Sequence, residues 1–192
     1  DHTIILFTSD HGDMLGNHGL WAKPPMHEWA AKVPLILVPA GDKTDAGPGE
    51  VSERLACFRD VMPTLLEMCG ISVPDSVEGQ SLLGGDGRTH LYCEHFENEL
   101  ATRMVRDKRY KLIWYPVGNR FQLFDLERDP EECHDRYDDP ELADVERKLT
   151  ELLVDELYGT DMRWVSDGEL KGEPDRAYHP PSQKSLKGQR GW

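Results

Sequence analysis

The chain is poor in the features that mark extreme classes of protein. Its four cysteines are scattered and show no Cys-x-x-Cys spacing, so they make neither a disulfide framework nor a zinc site. No run approaches the roughly 18 apolar residues of a membrane span. No secretory leader is legible, which leaves the compartment undetermined. Positive charge is scarce: 22 Lys and Arg stand against 36 Asp and Glu, for a formal net charge of −14. That sign excludes nucleic acid as a partner, because phosphate binding needs a basic face. It favours cation binding wherever carboxylates converge. Hydrophobic residues make up 38% of the 192, enough for the core of one domain or of two small ones, and no internal repeat is visible.

The most informative stretch runs from Thr3 to Pro34. An apolar, β-branched run, Thr3 to Phe7, stops at Ser9-Asp10-His11-Gly12. A short continuous apolar run reads as a buried strand of a parallel sheet, and in open α/β sheets ligands gather beyond the carboxyl ends of the strands. Asp10 offers a hard oxygen to a divalent cation and His11 an imidazole nitrogen, while Gly12 lets the backbone turn so that both face one point. An ordinary strand-exit turn, with Asp10 bonding its own backbone, satisfies the same three residues. Residues 12–32, rich in Gly, His, Pro and Trp without periodicity, read as a functional loop.

Beyond the loop, Val33 to Val38 is a second apolar strand and residues 41–53 a polar, Gly-rich surface loop. Phe58, Val61, Met62, Leu65, Leu66 and Cys69 carry the stripe of a helix packed on a sheet, with Asp60 as N-cap and Gly70 as left-handed C-cap. Cys57 and Cys69 read as small core residues. From about residue 88 the pattern changes. His90–His95, Ala101–Val105, Tyr110–Tyr115 and Phe121–Leu126 are short strands separated by turn material, as in an antiparallel meander. Asp138-Asp139-Pro140 opens a helix to about Tyr158, with Leu142, Val145, Leu149, Leu152 and Leu153 on one face and acidic residues in its first turn. Residues 161–192 read as an extended tail over the domain, anchored by Trp164 and Trp192, or equally as a polar segment disordered in solution.

The string Ser-Asp-His-Gly-Asp (9–13), then Gly-Asn-His-Gly-Leu-Trp-Ala-Lys (16–23), Glu28 and Lys-Val-Pro-Leu-Ile-Leu-Val-Pro-Ala-Gly (32–41) resembles the sulfatase family of the alkaline-phosphatase-like superfamily. The resemblance resumes in Asp60–Leu66 with Cys69-Gly70-Ile71, in Pro74–Leu83, in Tyr110-Lys111-Leu112, and in Leu123–Leu126 with Asp129-Pro130. It implies a fold: residues 1–87 as the C-terminal part of an α/β catalytic domain, and 88–160 as a small four-stranded antiparallel sheet with one packed helix. The family's nucleophile, a formylglycine made from Cys or Ser in a C/S-x-P-x-R motif, is missing, as is its early metal-binding Asp pair. The chain opens on Asp1, so it is expected to be the C-terminal part of a longer enzyme, with the N-terminal part of that enzyme as its partner and no turnover on its own. The opening strand would then present an unsatisfied edge.

The resemblance also implies roles. Asp10 and His11 match two late metal ligands, to calcium in most sulfatases. Calcium prefers oxygen, and the imidazole leaves manganese, magnesium or zinc open. Lys23 matches the lysine that meets the sulfate and its leaving oxygen. In a chain this acidic a local positive group must hold an anionic sulfate ester, and Lys23 and the metal are the candidates. His18, inside the same motif, is a candidate substrate contact or proton donor, with a structural role as the alternative. His27 stands where the family more often has Tyr or Phe and is expected to pack like an aromatic ring. Glu28 is expected to pair with a cation or cap the loop. Arg103, Arg106 and His95 are candidates to reach a charged substrate from the small sheet, with a surface ion pair as the preferred account of each. The implied activity is metal-dependent hydrolysis of a sulfate ester. A phosphonate or phosphodiester hydrolase of the same superfamily is the second reading, and a non-catalytic interaction module the third. Oligomeric state stays open.

Overall fold

The computed structural model describes residues 2–21, 26–41, 49–97 and 100–176. Its first part holds two short strands, β1 (Ile5–Thr8) and β2 (Leu35–Val38), with a one-turn helix, α1 (Glu28–Ala31), between them. The opening strand is not a buried parallel strand. It pairs antiparallel with β2 in the register Ile5↔Val38 to Thr8↔Leu35. Side chains alternate across a strand, so Ile5, Phe7, Ile36 and Val38 share one face, and each is about half exposed. A continuous apolar run needs cover on both faces, and among the described residues this ribbon is covered on one.

Helix α2 (Val61–Met68) follows a 3-10 turn, Phe58–Asp60. Gly70 takes the left-handed conformation (φ 72), and Ile71 N–H and Gly70 N–H return to the carbonyls of Leu66 and Glu67, the paired closure expected of a glycine C-cap. Asp60 stands just before α2, but its backbone is already helical and its carboxylate caps nothing in that helix. It reaches back to Cys57 N–H (2.9 Å), accepts Gln80 N–H (2.8 Å) and pairs with Arg88. Thr64 Oγ1 adds a bond from Leu82 N–H at 3.0 Å. These polar ties turn Asp60, Pro63, Thr64 and Met68 inward. The apolar stripe read from sequence is therefore not the buried face: Phe58 and Met62 are half exposed, and Cys69 is exposed rather than a core residue.

The second part is a four-stranded antiparallel meander, as expected: β3 (Leu91–His95), β4 (Thr102–Arg106), β5 (Tyr110–Tyr115) and β6 (Arg120–Asp125), in that spatial order. One face (Val105, Leu112, Trp114, Leu123) packs on Leu149 and Leu153 of α3 (Ala143–Glu156). Asp139 accepts Glu141 N–H at the entry to that helix, and Asp144 and Glu146 complement its dipole. The other face (Met104, Ile113, Phe124) packs on Met26. Both sheet faces are thus dry, and one of them carries the loop that follows β1.

The stretch expected to lie over the domain as an extended tail from residue 161 is folded into this unit as far as Arg176. A 3-10 segment, Gly159–Trp164, leads to a hairpin of β7 (Val165–Ser166) and β8 (Glu169–Leu170). Trp164 is buried edge-on to Trp114 at 5.8 Å, and its Nε1–H donates to Glu173. Trp192 lies outside the described residues. Arg103 is no surface group: it is buried in a two-pronged pair with Asp161. No described helix is long and apolar enough to cross a membrane.

Leu149 is fully buried between α3 and the sheet. Leu149→Ala is expected to cost about 3 kcal/mol through lost apolar contact and the cavity left behind, measured as a shift in urea midpoint with an unchanged slope.

Candidate active site

Asp10 and His11 lie immediately after β1, and the turn that presents them has room for one residue type only. Gly12 N–H donates to Ala30 carbonyl at 2.9 Å. A Cβ on Gly12 would sit 2.1 Å from the Trp29 carbonyl oxygen, so the backbone of α1 excludes any side chain there. The loop thereby comes back to brace its own start.

Asp10 is open to solvent, and its Oδ1 accepts His11 N–H at 3.0 Å. That backbone bond, helped by the neighbouring imidazole, holds its carboxyl below the usual carboxylate range. His11 Nδ1 lies 2.7 Å from Gly12 carbonyl. A carbonyl only accepts, so Nδ1 carries the hydrogen, and in the neutral ring Nε2 carries the lone pair. Nε2 and Asp10 Oδ2 face each other at 3.4 Å. Two acceptors so close repel unless a positive charge stands between them, either a proton or a cation. Two ligands each roughly 2.1–2.4 Å from an ion, at about a right angle, are separated by about that distance. A ligating histidine whose other ring nitrogen is tied to a backbone carbonyl is also a familiar arrangement. The pair fits a divalent cation in donor type, spacing and tautomer. Among the described residues no third His, Cys, Asp or Glu joins them.

His18 is held elsewhere. It sits in the left-handed region (φ 54), donates from Nε2 to Glu131 carbonyl at 2.8 Å, and lies against the ring of His27 at 4.6 Å. His27 in turn packs against Phe124 at 5.5 Å, the aromatic-like role expected of it. His27 is buried and its Nδ1 has no hydrogen-bond partner among the described residues. Burial first, then the neighbouring His18 and Lys111, push its pKa down to about 4. Lys23 lies outside the described residues.

Glu28 does pair with a cation, and with two. Its Oε1 lies 2.8 Å from Arg106 and 2.6 Å from Lys111 Nζ. Lys111, without solvent exposure, also meets Glu132 Oε1 at 2.7 Å and donates to Met26 carbonyl at 3.0 Å. Glu132 Oε2 accepts Glu28 N–H at 2.6 Å, and Glu131 accepts Trp29 Nε1–H at 3.0 Å. Two carboxylates face two cations. Burial alone would raise Glu28, but Lys111 and Arg106 outweigh it and leave its pKa lowered. For Glu132 burial wins over Lys111, and its pKa is raised. Lys111, Glu131 and Glu132 were not singled out from sequence. The available signal was a lysine inside the apolar run Lys-Leu-Ile-Trp-Tyr, since a buried strand position tolerates a charge only when it is paired.

The four-stranded sheet with its packed helix is a fold shared with solved sulfatases of alkaline-phosphatase-like architecture. Residues 16–158 match the family model for the C-terminal region of N-sulphoglucosamine sulphohydrolase, and the chain belongs to the sulfatase family as a C-terminal portion. An arylsulfatase of Clostridium perfringens is 34% identical over 181 residues, covering 91% of this chain and 38% of that protein. The solved structure of a 2-O GAG sulfatase is similar with TM-score 0.75 and 30% identity, over 85% of this chain and 38% of its own. The phosphonate monoester hydrolase of Agrobacterium radiobacter is similar with TM-score 0.69 and 28% identity, over 80% and 34%. The chain spans little more than a third of the length of each.

Gly12→Ala is expected to destabilise by about 3 kcal/mol, because the clash is with backbone that cannot rotate away; thermal unfolding measures it. The second expectation concerns pH. The folded His27 ring binds a proton less readily than the unfolded one, so stability is complete above the unfolded pKa of 6.5 and falls as pH drops from there toward about 4. The loss at pH 5 is about 2 kcal/mol. Urea midpoints at pH 7 and pH 5 should show His27→Phe free of that component.

Proposed function

We propose that this chain is the metal-bearing C-terminal portion of a sulfuric ester hydrolase whose formylglycine nucleophile lies in an N-terminal part. Asp10 and His11 supply two ligands of a divalent cation, calcium first, with manganese, magnesium or zinc as the alternatives. The observation that carries this reading is the 3.4 Å approach of Asp10 Oδ2 to His11 Nε2, with the imidazole's other nitrogen tied to Gly12 carbonyl. Family membership and the likeness to sulfatases support it. A bound cation supplies Lewis acidity toward a sulfuryl oxygen.

The chain's own groups have distinct tasks in this reading. Asp10, held ionised by His11 N–H, keeps a negative charge ready at the strand exit. Lys23 provides the local positive charge that a protein of net charge −14 needs to hold an anionic ester. His18 has its Nε2 hydrogen committed to Glu131 carbonyl. Any proton exchange with substrate therefore falls to Nδ1, and its first task is to orient the loop. A phosphonate monoester hydrolase is the second reading, favoured by the likeness to the Agrobacterium radiobacter enzyme, and sulfuryl and phosphoryl groups ask for similar charge stabilisation.

The test uses the intact protein that carries this segment. An aryl sulfate and a phosphonate monoester are compared at matched leaving group, before and after chelation. Chelation is expected to abolish turnover, and calcium to restore it, with manganese, magnesium and zinc compared beside it. Asp10→Ala and Lys23→Ala are each expected to lower kcat/KM by about 100-fold or more. Undiminished turnover in these variants contradicts the roles given, and faster phosphonate than sulfate hydrolysis selects the second reading.

A further inference from the structure

The loop that runs from the Asp10 turn to β2 is gripped from outside by one short segment of the sheet unit. Glu131 carbonyl takes the His18 Nε2 hydrogen, Glu131 carboxylate takes Trp29 Nε1–H, and Glu132 carboxylate takes Glu28 N–H. Lys111, rising from the middle of β5, closes the grip by meeting Glu132, Glu28 and Met26 carbonyl together. Glu132 holds this position in the left-handed region (φ 55), a conformation that residues with side chains keep where surrounding contacts over-determine it and that clusters at functional sites. In sequence, Lys23 lies between the two gripped stretches, His18 and Met26–Trp29.

We propose that Glu131, Glu132 and Lys111 form a clamp that positions the site loop, so that Glu132 and Lys111 are positioning residues for the sulfuryl-transfer site. The activity arm of this proposal rests on the sulfatase reading; the geometric arm does not. The arrangement is specific. A fully buried ammonium shared by Glu28 of the loop and Glu132 of the sheet unit couples the two parts through charge. The backbone N–H of Glu28, at the start of α1, is fixed by the same Glu132. Losing the clamp frees the loop at both ends of the gripped stretch while leaving the apolar contact of Met26 with Met104, Ile113 and Phe124. Small misplacements of a positioned charge cost one to two powers of ten in rate.

The experiment separates positioning from mere stability by exploiting charge balance. In the intact protein, Lys111→Met alone strands the buried Glu132 carboxylate, and Glu132→Leu alone leaves the buried Lys111 with Glu28 as its carboxylate partner; both lower Tm, the first by more. The double variant Lys111→Met with Glu132→Leu removes both charges and is expected to recover Tm to near wild type. Amide exchange is then read across residues 12–20 and 28–32. The clamp predicts at least tenfold faster exchange there in the double variant, with β4, β5 and β6 unchanged. It also predicts kcat on an aryl sulfate at least tenfold lower, at a KM within threefold. Glu131→Ala, which deletes only the Trp29 bond of an exposed side chain, is expected to give a smaller drop in kcat with Tm unmoved. Exchange and kcat that both recover along with Tm in the double variant, or no change of either in Glu131→Ala, overturn the proposal. Faster exchange without turnover in the wild type would uphold the clamp and count against the sulfatase reading instead.

Discussion

A lysine ammonium shut off from water, 2.6 Å from Glu28 and 2.7 Å from Glu132, is the contact on which the geometry of the site loop depends. A buried cation is tolerated only when paired, and this one is paired on both sides of a boundary: one carboxylate belongs to the loop, the other to the sheet unit. Arg106 completes the balance by meeting Glu28. The described residues of the loop, which form a one-turn helix and a 3-10 turn but little other regular structure, are held by this cluster and by the apolar seat of Met26. The site thereby gains rigidity without long elements of its own.

Elsewhere the same logic recurs in an acid-rich chain. Asp60 with Arg88 ties the 77–88 segment to α2, Arg103 with Asp161 ties β4 to the segment after α3, and Arg109 with Asp125 joins the ends of β5 and β6. In the first two pairs both partners are shielded, and the carboxylates also accept further hydrogen bonds or are held by two-pronged geometry. Removing one partner strands a charge, which makes these joints sensitive to single substitutions. Most of the remaining carboxylates among the described residues face solvent, as a net charge of −14 requires.

Much of the sheet unit was legible because its physics is local. Alternating apolar runs between turn residues mark β3 to β6, and the spacing of Leu142, Val145, Leu149 and Leu153 marks α3. Asp10 and His11 stood out because polar ligand types ended an apolar run. The readings that went astray concern what packs on what. The stripe on α2 has the correct period, but hydrogen bonds of Asp60 and Thr64 chose the opposite face. Arg103 looked like a surface charge because Asp161 lies 58 positions away in the chain. The tail looked extended because its short 3-10 segment and two-residue strands carry no periodicity.

By itself, then, the order of residues determined the element types, the acid and imidazole at a strand exit, and the family likeness running from Asp10 to Pro130. Each of these depends on neighbours a few positions apart or on a motif read in one dimension. Tertiary structure alone decided that β1 runs antiparallel to β2, that His18 turns to Glu131 rather than to Asp10, and that Lys111 locks the loop to the sheet. The strand pairing joins residues 27 to 33 positions apart, and the bonds of Lys111 to Met26 and of His18 to Glu131 span 85 and 113, where desolvation and charge balance, not local propensity, select the partner.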